Sequence, residues 1–300
     1  MSKEITKMRE KLPNIELLES ESMSRHCSFR VGGAADILAL PKSPEEIIEL
    51  CALLRDMGEK PLIIGNGTNL LFTDAPIERV VIKLGDNFSG AEVSGNAIKA
   101  RSGIPLARLA SLALDAGLTG LEFAHGIPGT LGGAAVMNAG AYGGEMSGVI
   151  VRTTFVEDDT RILETVGSEH EFSYRHSRFS DGNCVILYCD IKLEHGDPSE
   201  IRERMRDLAV RRRESQPLDL PSAGSTFKRP KEGYAAQMID EAGLKGYSVG
   251  GARVSEKHAG FIVNEGDASF DDICKVIDYV RETVFARFGV ELELEVKVIR

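Results

Sequence analysis

The amino-acid sequence predicts an α+β protein of two parts, and three observations support this. Amphipathic helical segments are separated by short apolar segments typical of strands along the chain. Two glycine-rich loops follow apolar segments in the first part. Beyond Gly196 the pattern changes to a long charged helix, which indicates a domain boundary. The 300 residues, 42% of them hydrophobic, can fill two cores. We therefore predict domains over residues 1–196 and 197–300.

Capping signals define the first helix. Ser43 is the predicted N-cap, Pro44 takes the first helical position, Glu46 closes a capping box and Gly58 ends the helix. Its apolar face consists of Ile47, Leu50, Cys51 and Leu54. The segments "KPLIIGNGTNLLF", "VVIKL" and "AIKARSG" predict strands, and "PLARLASLALDAG" predicts a second helix that ends at Gly117.

The later elements follow the same rules. "VIVRTTFVED" and "TRILETV" predict two strands around a turn at Asp158 and Asp159, and "CVILYCDIKLEHG" predicts another strand. Asp197 and Glu200 predict a capping box at the start of the charged helix. Helices are predicted in "GYAAQMIDEAG" and "FDDICKVIDYVRETVFARFG", and strands around "YSVGGARVS" and "AGFIVN". The alternation in "VELELEVKVI" predicts a final strand.

Composition excludes several classes of protein. No apolar run approaches the roughly 18 residues of a membrane span, and the charged N-terminal segment lacks the apolar core of a signal peptide. The five cysteines are scattered without a C-x-x-C pair, and the six histidines show no ligand spacing, so we expect neither disulfides nor a metal. We expect a cytoplasmic protein. The net charge of −10 disfavours nucleic acid as a partner.

The two glycine loops point to a bound phosphate compound. The segment from Gly126 to Gly144, "GIPGTLGGAAVMNAGAYGG", has no charged residue, so its main-chain N–H groups are the available partners for a pyrophosphate. Tight packing of the loop against a helix is the alternative. The absence of G-K-[ST] excludes a Walker A loop. The loop "GNGTN" (65–69) lacks the third glycine of a Rossmann fingerprint. Two separate loops suit a long dinucleotide such as FAD.

Seven motifs together resemble one enzyme family. They are "SFRVGG" (28–33), "GNGTNLL" (65–71), the long glycine segment, "YRHSRF" (174–179), "AGSTFKRP" (223–230), "KHAGFIVN" (257–264) and "LELEVKVI" (292–299). In this order they resemble the UDP-N-acetylenolpyruvoylglucosamine reductases, the MurB family. The resemblance implies an FAD-binding fold of the vanillyl-alcohol-oxidase-like type, with two α+β subdomains in residues 1–196, followed by a smaller substrate-binding domain.

The resemblance also implies a reaction and its residues. NADPH reduces FAD, and the flavin reduces the enolpyruvyl ether of UDP-N-acetylglucosamine to UDP-N-acetylmuramate for peptidoglycan synthesis. The family's catalytic residues fall on Arg175, Ser225 and Glu295. Its flavin contacts fall on Gly65, Asn66, Gly67, Thr68, Asn69, Gly129, Thr130, Gly132, Gly133, Asn138, Ala139, Gly140 and Arg212. Substrate contacts are expected at Tyr174, Lys228, Arg229 and His258.

Two departures from the family pattern are present. Leu294 replaces a proline that is frequent before the final glutamate, which leaves the position of Glu295 unchanged. No insertion matches the extra loop whose tyrosine covers the substrate in one branch of the family. The chain therefore resembles the shorter branch, which lacks this covering loop.

The chemistry agrees with these assignments. Hydride addition to the enol ether places negative charge on the neighbouring carbon and the carboxylate, which the planar fork of Arg175 can bind in a bidentate pair. Ser225 would then supply a proton. Glu295 must be protonated to help, because an ionised carboxylate would oppose the developing charge.

Simpler roles remain for most of these residues. Ser225 can be a turn serine and Arg175 a solvated cation, Glu295 can belong to the wet face of an edge strand, and Arg212 to a solvated helix face. His258 can be purely structural. Two other functions also stay open, a different flavin-dependent oxidase of the same fold and a nucleotide-sugar-binding protein without catalysis.

Overall fold

The computed structural model describes residues 2–157, 160–182 and 184–300. The turn that we predicted at Asp158 and Asp159 lies outside this part of the chain. The helices are α1 (Ser2–Lys11), α2 (Pro44–Asp56), α3 (Leu106–Asp115), α4 (Leu131–Val136), α5 (Pro198–Ser215), α6 (Ala235–Glu241) and α7 (Phe270–Phe288). No helix in the described ranges is long and apolar enough to span a membrane.

The strands are short and occur along the whole chain. They are β1 (Glu16–Ser22), β2 (Ala34–Leu40), β3 (Leu62–Ile64), β4 (Leu70–Phe72), β5 (Ile77–Lys83), β6 (Ala91–Ser94), β7 (Ala97–Arg101), β8 (Leu118–Thr119), β9 (Gly140–Ala141), β10 (Gly144–Glu145), β11 (Ile150–Glu157), β12 (Ile162–Val166), β13 (Cys184–Lys192), β14 (Glu194–His195), β15 (Ser222–Ser225), β16 (Ser248–Val249), β17 (Ala252–Val254), β18 (Phe261–Asn264) and β19 (Lys297–Ile299).

The chain forms two compact units. The first consists of Met1–Ser20, Asp36–Asn66 and Arg79–Arg211, and the second of Glu21–Ala35, Gly67–Glu78 and Arg212–Arg300. Most of α5 therefore belongs to the first unit, although its start lies beyond the predicted boundary at residue 196. The division into domains 1–196 and 197–300 stays a prediction.

The first unit contains two larger sheets and two pairs of short strands, β9 with β10 and β8 with β14. One has the strand order β1-β2-β5-β3, with β3 and β5 parallel. The other is antiparallel, with the order β12-β11-β13-β7-β6. Its core includes residues of α3 and α4 together with Phe155 and Phe179, whose ring centroids are 5.3 Å apart in an edge-to-face arrangement. Full burial of one such ring stabilises the fold by roughly 1.5–3 kcal/mol.

Helix α2 forms as its capping signals predict. The Ser43 hydroxyl accepts the N–H of Glu46 at 3.2 Å, and Ile47, Leu50 and Leu54 are buried. One detail of the capping box differs, because the Glu46 carboxylate accepts the N–H of Lys42 at 2.6 Å. Cys51 is half-buried.

The second unit has an antiparallel sheet with the order β15-β18-β17-β16, against which α7 packs. Ser269 and Asp272 form a capping box at the start of α7, and Gly289 ends it with φ +68°. A separate pair of parallel strands, β4 and β19, joins residues 70–72 to residues 297–299. Most of the predicted final strand was wrong. Within "VELELEVKVI" only Lys297–Ile299 is a strand, and Leu294 makes an isolated bridge to Phe227.

Candidate active site

Ser225 lies at a β-bulge of the second unit. Ser222 is opposite Val263 and Ser225 is opposite Phe261, so β15 has one residue more than β18 between these pairs. Gly224 takes up the extra residue with φ +75°, a conformation that favours glycine. A bulge of this kind redirects the next side chain. The glycine before Ser225 is therefore explained by the bulge, and the Ser225 side chain is half-buried.

Main-chain hydrogen bonds join the segment of Glu295 to the residues that directly follow Ser225. The carbonyl of Thr226 accepts the N–H of Glu295 at 2.9 Å, and Lys228 N–H donates to the Glu293 carbonyl at 2.8 Å. Glu295 is half-buried, whereas Glu293 and Glu291 are exposed. The structure thus distinguishes Glu295 from the two glutamates that precede it in the alternating run.

Asn69 supports the Glu295 segment. Its side-chain nitrogen donates to the Glu295 carbonyl at 2.9 Å, and its own carbonyl accepts the N–H of Lys297 at 3.0 Å. The resemblance implied a flavin contact for Asn69. In the described structure, one contact of its side chain is with the segment that carries Glu295.

The predicted basic contacts of the second unit have protein partners nearby. Lys228 pairs with Glu293, with Nζ 3.2 Å from Oε2. The guanidinium carbon of Arg229 lies 4.1 Å from the ring centroid of Tyr234, which is a cation–π contact. Arg212 is half-buried, whereas Arg211 and Arg213 on either side of it are exposed.

His258 lies three residues before β18, the strand that pairs with β15. Its Nδ1 accepts the N–H of Gly260 at 3.2 Å, and the Gly260 carbonyl accepts the N–H of Thr226 at 2.8 Å. Burial lowers the pKa of His258 below its ordinary value. Because Nδ1 is an acceptor, the neutral ring carries its proton on Nε2, which is available as a donor.

Arg175 lies at the tip of a tight turn in the first unit. Ser173 and His176 bond to each other through both main-chain groups, at 3.1 and 3.2 Å, with Tyr174 and Arg175 between them. Arg175 has φ +56°, which costs an L-residue energy and is rare for arginine. Such a conformation persists only where the surrounding contacts hold it.

The arginine side chain is oriented by two neighbours. Its Nη2 lies 3.4 Å from the Gly140 carbonyl, and its guanidinium carbon lies 5.0 Å from the centroid of the Tyr174 ring. Tyr174 is 49% exposed, so the ring offers an open face. This arrangement brings together Tyr174, Arg175 and the glycine segment, as the site assignments require.

Most of the glycines are required by the protein's own packing. A Cβ on Gly65 would lie 2.3 Å from Thr130 Oγ1, one on Gly132 would lie 2.8 Å from Ser102 Cβ, and one on Gly140 would lie 2.6 Å from the Gly144 carbonyl. Within the second unit, a Cβ on Gly67 would lie 2.1 Å from the His26 carbonyl. The tight-packing alternative therefore explains these four positions.

Gly133 differs from these four glycines. A Cβ there would meet only Thr130 Oγ1, at 3.6 Å. Thr130 is the N-cap of α4, and its hydroxyl accepts the N–H of Gly133 in a long bond of 3.5 Å. Packing leaves space above this turn of the helix, which is what the approach of a ligand to the backbone requires.

Unused main-chain donors in both loops fit a phosphate-bearing cofactor. The N–H groups of Asn66, Gly67 and Thr68 make no hydrogen bond within the described residues, and neither do those of Gly129 and Thr130. Gly67 and Thr130 are buried. Buried donors are nearly always paired in folded proteins, so the N–H groups of Gly67 and Thr130 are expected to bond to water or to a bound molecule. The oxygens of FAD are suitable acceptors.

Thr226 and Ser173 were missed from the sequence. Both act through main-chain groups, for which the sequence carries no side-chain signal. Ala139, a predicted flavin contact, donates its N–H to the Ala134 carbonyl at 2.8 Å. No group of three or more potential metal ligands is present among the described residues.

Comparisons with known proteins identify the family. A model described as the C-terminal domain of UDP-N-acetylenolpyruvoylglucosamine reductase matches residues 216–299, and one described as an FAD binding domain matches residues 35–165. The reductase of Caldanaerobacter subterraneus is 48% identical, over 98% of this chain and 97% of its own length. The chain belongs to the UDP-N-acetylenolpyruvoylglucosamine reductase family. The reductase of Clostridioides difficile is 46% identical, over 93% of this chain and 92% of its own.

Solved structures agree on the fold. The MurB structure from Thermus caldophilus is 32% identical and superposes with a TM-score of 0.82, over 96% of this chain and 99% of that one. An alkyldihydroxyacetonephosphate synthase, 19% identical with a TM-score of 0.51, shares the fold over 65% of this chain and 44% of its own. The predicted α+β fold with an FAD-binding domain is confirmed. Membership of the shorter family branch stays a prediction.

Proposed function

We propose that this chain reduces UDP-N-acetylglucosamine enolpyruvate to UDP-N-acetylmuramate with electrons from NADPH, as a cytoplasmic step of peptidoglycan synthesis. The observation that carries the proposal is the 48% identity to a reductase of that name over nearly the full chain. The unused N–H groups of the two glycine loops support FAD as the cofactor. When bound, FAD accepts hydride from NADPH and delivers it to the methylene carbon of the substrate.

Three residues of the chain would stabilise the negative charge that develops in this reaction and supply the proton that it needs. Arg175 would bind the substrate carboxylate through two parallel hydrogen bonds and stabilise the charge that develops on it. Protonated Glu295 would donate a further hydrogen bond to the same charge. Ser225 would donate its hydroxyl proton to the carbon that bears the ether oxygen and regain a proton from solvent. The reaction consumes one hydride and one proton for each double bond reduced.

Four other side chains would bind the rest of the substrate. Tyr174 offers its exposed ring beside the arginine, and neutral His258 offers an Nε2–H donor. Lys228 and Arg229 are the cations nearest to Ser225 in sequence, and we assign them to the diphosphate. Glu293 would have to release Lys228, which costs little for so exposed an ion pair.

The visible spectrum of the purified protein tests the proposal. We expect a yellow protein with a flavin spectrum that NADPH bleaches anaerobically and that the enolpyruvyl substrate restores. UDP-N-acetylglucosamine, which lacks the enolpyruvyl group, is the control and should restore nothing. A colourless protein, or a flavin that oxygen alone reoxidises after reduction by an alcohol or sugar, would contradict the proposal.

A further inference from the structure

The C-terminal end of the short helix α4 is fastened to the arginine turn. The carbonyl of Val136 would lack a partner as the last carbonyl of the helix. It accepts instead the hydroxyl of Ser177 at 2.8 Å and the hydroxyl of Ser180 at 3.2 Å. Ser177 directly follows the turn that carries Arg175, and Ser180 lies three residues further on, so the helix and the turn are held together on this side.

Asn138 makes a second connection. It is fully buried and has φ +40°, which asparagine tolerates better than most residues. Its Nδ2 donates to the Ser173 carbonyl at 3.1 Å, and its Oδ1 accepts the N–H of Ser147 at 2.8 Å. A carbonyl only accepts and an N–H only donates, so the orientation of the amide is determined. One side chain thus joins the glycine segment to the residue at which the arginine turn begins.

These connections can stabilise a turn whose backbone conformation is unfavourable. Arg175 occupies a left-handed backbone conformation, which is costly for an arginine and persists only where neighbouring contacts enforce it. The Arg175 guanidinium also lies 3.4 Å from the carbonyl of Gly140, two residues beyond Asn138. The position of the guanidinium therefore depends on how turn and glycine segment are joined.

We propose that Asn138 is a positioning residue, whose amide holds the Arg175 turn in the conformation that binds the substrate carboxylate. The catalytic part of this inference rests on the proposed function. A buried amide that bonds Ser173 and Ser147 acts on Arg175 rather than on the flavin, although the resemblance implied a flavin contact. Loss of the amide is expected to impair the step that needs the arginine and to spare the reduction of the flavin by NADPH.

The test variant is Asn138→Gly, because glycine keeps the positive φ and removes only the amide. Asn96→Gly is the matched control, since Asn96 also donates its amide to a main-chain carbonyl, that of Leu193 at 3.0 Å, in the same unit. In the FAD-loaded enzyme we expect Asn138→Gly to reoxidise with the enolpyruvyl substrate at least about tenfold more slowly, because small misplacements are costly. Its reduction by NADPH should stay within about twofold, and Asn96→Gly should match the wild type in both steps.

A double-mutant cycle with Arg175→Ala tests whether the effect passes through the arginine. If it does, Asn138→Gly adds nothing measurable to the loss already caused by Arg175→Ala. An undiminished effect in that background overturns the proposal, as does loss of FAD from Asn138→Gly. If Asn138→Gly does not fold, Asn138→Asp takes its place, because it keeps the oxygen that accepts the N–H of Ser147 and removes the donor to the Ser173 carbonyl.

Hydrogen exchange provides a readout that does not depend on activity. The N–H groups of Ser173 and His176 are bonded within the turn, so their exchange should accelerate in Asn138→Gly and stay unchanged in Asn96→Gly. Unchanged exchange in Asn138→Gly overturns the inference about Asn138 and leaves the proposed function standing. A wild-type holoenzyme that does not reduce the enolpyruvyl substrate overturns the proposed function and the catalytic part of the inference, while the exchange data still decide whether Asn138 holds the turn.

Discussion

At the scale of single residues, Ser225 owes its position to its neighbours on both sides. Gly224 forms the bulge that redirects the serine, and Thr226 is fully buried, with its hydroxyl accepting the N–H of Ile262 at 3.2 Å. The main chain at Ser225 is thus fixed on both sides, one residue before the Thr226 carbonyl that accepts the N–H of Glu295.

We expect Ser225→Ala to bind FAD and to be reduced by NADPH normally, but to reduce the enolpyruvyl substrate at least about a hundredfold more slowly. Loss of a positioned proton donor typically costs roughly 10² to 10⁴ in rate. Ser225→Cys should retain more activity because a thiol still donates a proton. Stopped-flow measurement of the two half-reactions separates these effects. Ser222→Ala, on the same strand, is the control. Near-normal turnover by Ser225→Ala would show that Ser225 is only a turn residue.

At the scale of elements, helix α4 connects two parts of the proposed site in the first unit. Its N-terminal turn contains Thr130 and Gly133, and its C-terminal carbonyl is bonded by Ser177 and Ser180. The glycine-rich sequence of this helix is unfavourable for helix formation by itself. Its stability therefore comes from tertiary contacts, which include the bond from Gly132 N–H to the Ser102 carbonyl at 2.7 Å.

Gly133→Val should yield a folded protein that binds FAD at least about tenfold more weakly, a loss of about 1.4 kcal/mol. The valine has space within the protein but occupies the approach to the main chain. Flavin content after purification and titration of the apoprotein with FAD measure the effect. Gly148→Val is the control, because a Cβ on exposed Gly148 meets nothing within 4 Å. Gly67→Val does not serve as a second variant, since its Cβ would collide with the main chain at His26. Full occupancy by FAD in Gly133→Val would contradict the assignment.

The segment that leads to the arginine turn is held by a buried histidine. His170 has Nε2 2.9 Å from the Thr153 hydroxyl and Nδ1 3.0 Å from the Gly167 carbonyl, and its ring stacks on Phe172 at 4.8 Å. Since a carbonyl only accepts, Nδ1 carries the proton and Nε2 accepts from Thr153. Burial lowers the pKa of His170 below its ordinary value, so the ring is neutral at pH 7.

The free energy of unfolding should therefore fall on acidification. Between the lowered pKa of folded His170 and the value of about 6.5 in the unfolded chain, the unfolded state binds more protons, so stability is lost as the pH falls through this window. One such group contributes at most about 1.4 kcal/mol per pH unit. Urea unfolding of His170→Gln should show lower stability at pH 8 but a flatter dependence between pH 6.5 and 5. His195→Gln, at an exposed position, should keep the wild-type slope, and an unchanged slope in His170→Gln would exclude this role.

At the scale of the whole molecule, local patterns in the sequence predicted the helices better than they predicted the contacts between residues far apart in the chain. Helix α2 follows from its capping residues and apolar face, and helices α3 and α7 follow from their helical patterns, because these signals are local. The contact of Asn69 with Glu295 could not be predicted, since it joins residues 226 positions apart. The alternation in "VELELEVKVI" was misread as a strand. Leu292 and Val296 are buried, as the alternation predicts. Alternation with a period of two residues indicates an extended chain, but it does not show whether that chain pairs in a sheet. Here the main chain of most of the segment bonds to irregular partners.

The same limit applies to the predicted domain boundary. A change of composition near Gly196 marks a connection in the chain, but it does not show which earlier segments complete the later core. In the second unit, Asn264 donates its side-chain nitrogen to the Phe29 carbonyl at 3.0 Å, and Phe270 donates its N–H to Asp74 at 2.7 Å. Both acceptors precede residue 197 and lie in segments that the composition of the chain does not distinguish.

The isolated fragment 197–300 tests the boundary, and we expect it not to fold cooperatively. Strand β19 pairs in parallel with β4, so the fragment would leave the edge of residues 297–299 without a partner. It would also lack Phe29 and Phe72, which are fully buried in the second unit. Their loss removes roughly 3–6 kcal/mol of burial, which is a large part of the stability of a small domain. Circular dichroism and urea unfolding should show a weak, broad transition for the fragment and a sharp one for the full chain.

As a control, the full chain cut at an engineered site between Gly196 and Asp197 should keep its structure, because all contacts within the second unit remain available. A sharp transition in the isolated fragment would show instead that residues 197–300 are an independent domain, as the composition predicted.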